Sequence, residues 1–262
     1  MIPIHNLPRT DAVAMSCVCS DIDDTLTLDG RLLPESFDAL WRLKEAGILV
    51  VPVTGRPAGW CDCILREWPI DAIVGENGAF CWYYADDTIC ELVHPEAAGS
   101  MEDRLSLLAD TVLERFPDAR ISRDQRYRIY DLAFDFREDV DLDLETAEGI
   151  ASLCREMGAV AKVSSIHVNA WFGTYDKLDM VRRYLDRIGY DEQRMGREVW
   201  FCGDSPNDEP MFSFFSHSVG VANIAEMTPF MRALPTYITS ASHGIGFAEF
   251  VDILLEKRAA ES

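Results

Sequence analysis

The segment Ser20-Asp21-Ile22-Asp23-Asp24-Thr25 constrains this chain more than any other. It places three carboxylates within four residues, directly after the small, largely apolar run Ala14-Met15-Ser16-Cys17-Val18-Cys19. Such a run is the pattern of a parallel strand buried on both faces. A strand is predicted over about 14–21, with the turn signal Leu28-Asp29-Gly30 after it. Acids clustered just past a buried strand repel one another unless a cation sits among them. Side chains alternate along a strand, so Asp21 and Asp23 start on the same side. Two readings follow: a nucleophilic carboxylate with a second acid two residues on, or a solvated acidic turn.

The flanking chain supports the buried strand. Residues 1–13 read as a loose lead-in. Pro34-Glu35-Ser36 opens a helix over about 35–46, and Gly47 ends it. Residues 48–53 form the next strand, closed by Thr54-Gly55-Arg56-Pro57. A helix over 58–67, the strand Ala72-Ile73-Val74 and the turn Glu76-Asn77-Gly78 follow. Strands and helices alternating across short loops spell parallel, right-handed crossovers. Past residue 79 the grammar changes. A hairpin is predicted over 79–93, a helix over 100–115, a long alternating strand over 126–136, a helix over 141–156 and strands over 159–163 and 166–171. The parallel pattern then returns: helix 176–188, strand 199–202, helix 207–215, strand 218–221, helix 224–232, strand 237–239 and helix 246–257. The expectation is an α/β chain. Residues 1–79 and 172–262 form a Rossmann-like core, and residues 80–171 an inserted α+β domain.

Composition narrows the partners. A net charge of −21 argues against nucleic acid and anionic membrane, which need a basic face. A small anionic substrate remains, because a bound cation can invert the field locally. The eight cysteines include no Cys-x-x-Cys pair and no zinc spacing, which reads as reduced thiols in a cytoplasmic protein. No apolar run of about 18 residues and no signal-peptide pattern occurs. The expected assembly is a monomer or a homodimer.

Four stretches fall past the carboxyl ends of predicted core strands or at a helix start: Asp21/Asp23, Thr54-Gly55-Arg56, Lys177, and Gly203-Asp204-x-x-Asn207-Asp208. Together they suit one chemistry. A carboxylate attacking phosphorus needs a divalent cation held by oxygen ligands between it and the anion. Asp21, Asp204 and Asp208 offer such oxygens, and a backbone carbonyl near Asp23 adds one. The phosphoryl oxygens need donors: the Thr54 hydroxyl, the Lys177 ammonium and backbone N–H groups after Asp21. Asp23 is placed to protonate a leaving alkoxide and later to activate water.

On these residues the chain resembles the haloacid dehalogenase superfamily phosphatases, in the Cof-like subfamily IIB. The four motifs are Asp21-x-Asp23-x-Thr25, Thr54 in Val-Thr-Gly-Arg, Lys177, and Gly203-Asp204-x-x-Asn207-Asp208. The resemblance spans nearly the whole chain. It implies a cap of the C2 type between the second and third motifs, Mg²⁺, and hydrolysis of a small phosphate monoester, a sugar phosphate or similar metabolite, through an aspartyl-phosphate. Phosphate contacts then fall to Thr54, Gly55, Lys177 and Asn207, and substrate contacts to Arg56, Asn77, His167 and Asn169. The chain departs from the pattern at Asp24, where a Gly is usual, and lacks the Gly that often follows the Lys.

Each residue also has a plainer reading. Thr54 could cap a turn, Lys177 could be a solvated helix-start lysine, Asp204 could cap a helix, and Asn207 could only orient a loop. Arg56 could serve a salt bridge. His167, Asn169 and Trp171 alternate on one strand and either line the cleft or pack. Arg123, Arg126 and Arg128 either meet substrate anions or pair with carboxylates. Asn77 either lines the site or holds the left-handed turn before Gly78. Two rival functions use the same residues: a phosphomutase with the Asp21 nucleophile, and a non-catalytic module that senses phosphorylated metabolites.

Overall fold

A computed structural model describes residues 1–99, 101–164 and 166–260. At its centre is a six-stranded parallel sheet. The strands run Ile2–Pro3, Tyr237–Ile238, His217–Gly220, Val199–Gly203, Cys17–Ser20 and Leu49–Pro52 across it. Its central strands are buried on both faces, as the apolar run before Asp21 predicts. Cys17, Cys19, Val199 and Phe201 point to one face, where Met180, Val181, Tyr184 and Leu185 of the helix Lys177–Arg187 cover them. Val18, Trp200 and Cys202 point to the other, under the helices Pro34–Glu45 and His243–Ala259. Helices on both faces of a parallel sheet make a Rossmann-like, doubly wound core.

The strand order reverses between the neighbouring strands Cys17–Ser20 and Val199–Gly203. Their carboxyl ends therefore splay loops in opposite directions and leave a crevice, where such sheets bind ligands. Asp21 follows one of these strands and Asp204 the other. The Asp21 N–H donates to the Cys202 carbonyl at 2.9 Å, which locks the two loops in register.

The strand Ala72–Gly75 lies beside the parallel sheet, joined to it by a Val53–Val74 bridge and by the Asp71 N–H donating to the Val50 carbonyl at 3.0 Å. It then pairs antiparallel with Phe80–Ala85, which pairs with Thr88–Val93. A separate four-stranded antiparallel sheet runs Val160–Val163, His167–Trp171, Leu132–Asp135, Arg120–Ile121. Ala161, Val168, Ala170 and Phe134 on one of its faces pack with Leu108, Val112, Ile150 and Cys154 of the helices Glu102–Arg115 and Leu144–Glu156.

Several sequence expectations need correction. The lead-in is not loose: Ile2–Pro3 adds an edge strand, Arg9–Ala14 is a helix, and Ile4, Leu7 and Ala12 are buried. Elements this short carry no readable period. The long strand expected over 126–136 is strand only over Leu132–Asp135, and Arg123–Tyr127 is a 3₁₀ turn. The N–H groups of Ile129, Tyr130 and Asp131 donate to the Glu76 carboxylate rather than to a neighbouring strand. The helix expected over 224–232 is two 3₁₀ turns, Ala222–Glu226 and Thr228–Phe230, with Pro229 opening the second. The helix Glu192–Glu198 had no expectation behind it. Among the described residues no helix is long and apolar enough to cross a membrane, and all eight cysteines are free thiols.

Candidate active site

Asp21, Asp204 and Asp208 lie together at the crevice, with one ligand oxygen from each within 4.8 Å of the others. All three are buried. Gly203 makes the cluster compact, because a Cβ there would fall 2.5 Å from Asp208 Oδ2. Asp208 Oδ2 accepts from the Asp204 N–H at 3.2 Å, which folds the loop back on itself. Thr25 Oγ1 donates to Asp204 Oδ1 at 3.2 Å, and Asn223 Nδ2 donates to Asp204 Oδ2 at 3.0 Å.

Lys177 is the cation of the cluster. Its Nζ donates to Asp21 Oδ1 at 2.5 Å and to Asp208 Oδ1 at 3.2 Å. Burial alone would lower its pKa, but Asp208 and Asp21 more than reverse that and raise it. Gly78, at φ +106°, seats the start of the lysine's helix: a Cβ there would fall 2.1 Å from the Asp176 carbonyl oxygen. Asp176 Oδ1 then caps that helix, accepting from the Asp179 N–H at 2.9 Å.

Three buried carboxylates outnumber the one ammonium. Burial pushes Asp21 up to about 8, with Lys177 pulling against it and Asp208 and Asp23 adding to it. Burial, then Asp21 and Asp208, push Asp204 up to about 9. These shifts measure the cost of crowding acids with only the protein's own charges present. The contact to Lys177 favours the ionised form of Asp21, and added positive charge would favour the ionised form of all three acids. An all-oxygen, carboxylate-rich donor set of this size suits a hard divalent cation.

Other predicted site residues are placed as follows. Asp23 lies outside the acid cluster, with its carboxylate gripped by Arg56: Nη2 to Oδ1 at 2.5 Å and Nε to Oδ1 at 3.0 Å. Arg56 also stacks over Trp60. Thr54 is buried, and its hydroxyl accepts from the Arg56 N–H at 3.0 Å. Asn207 Oδ1 accepts from the Ser205 hydroxyl at 2.8 Å. The N–H groups of Ile22, Asp23 and Gly55 donate to no described residue. Asn77 and Asn169, far apart in sequence, both donate to Asp131 Oδ2, at 3.2 and 3.3 Å. Arg128 is buried there too, donating to Asp131 Oδ1 and to the Gly55 carbonyl at 2.9 and 3.0 Å. His167 lies apart, with Nε2 at 2.9 Å from Glu138 and 3.2 Å from the Ser122 hydroxyl. Trp171 is wholly buried against Tyr175. Arg123 pairs with Asp139 and Arg126 lies over Tyr127.

Sequence reasoning missed Glu76, Asp131, Asn223 and Lys162. Only Glu76 carried a signal, as an acid at the turn already marked by Asn77. The unusual Asp24 now has a reason. It sits at φ 57°, the left-handed region where Gly is free of strain and Asp is tolerated. Its carbonyl accepts from Asn223 Nδ2 at 3.0 Å. Burial, then Asp23, raise its carboxyl. We expect Asp24→Gly to stay within about 0.5 kcal/mol of wild type, since relief of strain offsets the added freedom of the unfolded chain. Asp24→Val should cost about 2 kcal/mol. Equal losses in urea melts of the two would mean that the Asp24 side chain itself holds the loop.

The model of the family described as haloacid dehalogenase-like hydrolase matches residues 18–100. A phosphoglycolate phosphatase of Pyrobaculum aerophilum is 30% identical over 248 residues, which cover 93% of this chain and 97% of that one. A phosphoglycolate phosphatase of Methanothermobacter thermautotrophicus is 28% identical over 90% of this chain and 97% of its own. Among solved structures, a Thermoplasma acidophilum protein superposes with a TM-score of 0.71 at 19% identity, over 93% of this chain and 98% of that chain. The chain belongs to the haloacid dehalogenase-like hydrolases, as a Cof-like phosphoric monoester hydrolase. A subclass IIB sugar phosphatase of that superfamily shares the fold, with a TM-score of 0.64 at 13% identity over 92% of this chain and 98% of that one.

Proposed function

We propose that the chain is a cytoplasmic, Mg²⁺-dependent phosphatase of a small phosphate monoester, working through a phosphorylated Asp21. The observation that carries this reading is the buried Asp21–Asp204–Asp208 cluster with the Lys177 ammonium between two of its members. Asp21, Asp204 and Asp208 would hold Mg²⁺, which supplies charge neutralisation between nucleophile and phosphate.

Asp21 attacks phosphorus through its free carboxylate oxygen, and the ester P–O bond breaks. Lys177, the Thr54 hydroxyl and the open N–H groups of Ile22, Asp23 and Gly55 orient and neutralise the phosphoryl oxygens. Asp23 gives its proton to the leaving alkoxide, then takes one from the water that opens the acyl phosphate. That role requires Asp23 to turn out of the Arg56 fork, a rotamer change open to a side chain 42% exposed. Asn207 trims the metal loop through Ser205. Asn77, Asn169 and Arg128 brace the Thr54–Arg56 loop through Asp131, and the antiparallel sheet within residues 80–171 serves as the cap. The reading has the protein acting as a monomer or homodimer. The curated relatives' names put 2-phosphoglycolate first among substrates to try, with small sugar phosphates after it.

The test is phosphate release from a panel of phosphate esters with Mg²⁺ and with EDTA. Conversion of a sugar 1-phosphate to its isomer, without free phosphate, would identify a mutase instead. A second expectation needs no turnover. Mg²⁺ at 10 to 100 times its Kd should stabilise the wild type by about 1.4–2.7 kcal/mol, or about 3–11 °C in Tm. Asp204→Asn should abolish that shift, and an unchanged shift would move the metal elsewhere.

A further inference from the structure

The antiparallel sheet has two unlike faces. Ala161, Val168 and Ala170 look to their own helices. Alternate positions look the other way, and there Trp171 and Val160 pack into the apolar cluster of the central sheet. Lys162 stands opposite Asn169 in register on that core-directed face, and Asn169 stands opposite Ala133. The Asn169 amide reaches Asp131, which joins the Gly55 loop through Arg128. Lys162 thus belongs to the row of side chains that the second sheet turns toward the phosphate site. It is half-buried, yet no carboxylate lies within 4.0 Å of its ammonium among the described residues. In a chain of net charge −21, a lysine held inside without an acid is out of character.

We propose that Lys162 binds a second acidic group, a carboxylate, on the non-phosphate side of the substrate, and so selects phosphorylated small acids over neutral esters. The assignment rests on the phosphatase reading above and extends it to specificity. The charges that reach Lys162 come from the site itself: burial lowers its pKa, Lys177 lowers it further, and Asp176 and Asp208 oppose that. Two ammonium groups near one site repel each other, and a substrate with an anionic group at each end removes the repulsion. The phosphoryl end belongs with Lys177, at Asp21. The far end of a two-carbon ester then meets the cation on the cap. A point charge on a flexible stem suits a small carboxylate of variable reach.

The experiment compares 2-phosphoglycolate with 2-hydroxyethyl phosphate, which has nearly the same shape and no carboxylate. Wild type should favour the acid in kcat/KM, mostly through KM. Lys162→Met keeps the apolar stem. It should lose about 20-fold or more on the acid, with less than about 2-fold change on the neutral ester and an unchanged melting temperature. Lys162→Arg should restore part of the preference. Equal losses on both esters would make Lys162 structural and overturn the proposal, as would no loss on either. A wild type that hydrolyses both equally also overturns it and leaves the phosphatase standing. A wild type that hydrolyses neither refutes the phosphatase reading itself.

Discussion

Asp21→Asn should abolish phosphate release, with a loss of about 10⁴-fold or more, while the protein stays folded. The size follows from removing a covalent nucleophile, whose loss costs most of the chemistry left after binding and electrostatic stabilisation. The folding half of the expectation follows from the cluster. Burial pushes Asp21 up to about 8, so the native state gains little by charging it. An amide of the same shape relieves crowding with Asp204 and Asp208, and Lys177 keeps its 3.2 Å contact to Asp208. The loss of the 2.5 Å pair with Asp21 works the other way. The two effects nearly cancel, so the melting temperature should move by no more than about 3 °C. A folded Asp21→Asn variant that keeps a tenth of wild-type turnover would remove Asp21 from the nucleophile's role.

Glu76→Gln should destabilise the protein far more than its chemistry suggests, by about 3 kcal/mol, or roughly 6–12 °C in Tm. Glu76 is fully buried just past the strand Ala72–Gly75. Its Oε1 accepts from the N–H groups of Ala58 and Ile129, both at 2.9 Å. Its Oε2 accepts from Tyr130 and Asp131 at 2.6 and 3.1 Å. Both oxygens are therefore needed as acceptors. A glutamine turns an NH₂ toward backbone donors whichever way it flips, leaving buried N–H groups without partners. Burial and the charge of Asp131 push the Glu76 carboxyl up to about 7, so part of the hydrogen-bond energy is already offset by the cost of burying an acid. The balance still favours glutamate, because its backbone donors tie the chain before the strand Leu132–Asp135 to the end of the strand Ala72–Gly75 and to Ala58. Thermal melts of the glutamine variant within 1 °C of wild type would show that these bonds add nothing net.

The acid cluster and the core strands could be read in advance because both are local. A buried strand announces itself by an unbroken apolar run, and the motif acids follow it within a few residues. Asp204 and Lys177 were recognisable by their places at a strand end and a helix start. Asp131, Asn223 and Lys162 gave no such notice. Asp131 and Asn223 matter through partners remote in sequence: Asn77 and Asn169 for Asp131, Asp204 for Asn223. The strand expected over 126–136 failed for the same reason. Its alternation was real, but Glu76, more than 50 residues earlier, accepted the N–H groups that a neighbouring strand would have taken.

Sequence alone therefore determined the parallel core, the run of acids at its first strand and the family those motifs mark. Period and spacing are properties of neighbouring residues, and neighbours are what a chain displays before it folds. Tertiary structure decided that Asp23 lies in the grip of Arg56 and that Glu76, at the end of the strand Ala72–Gly75, holds the chain before Leu132–Asp135. Those outcomes depend on groups from segments distant in sequence, and only the folded chain brings them together.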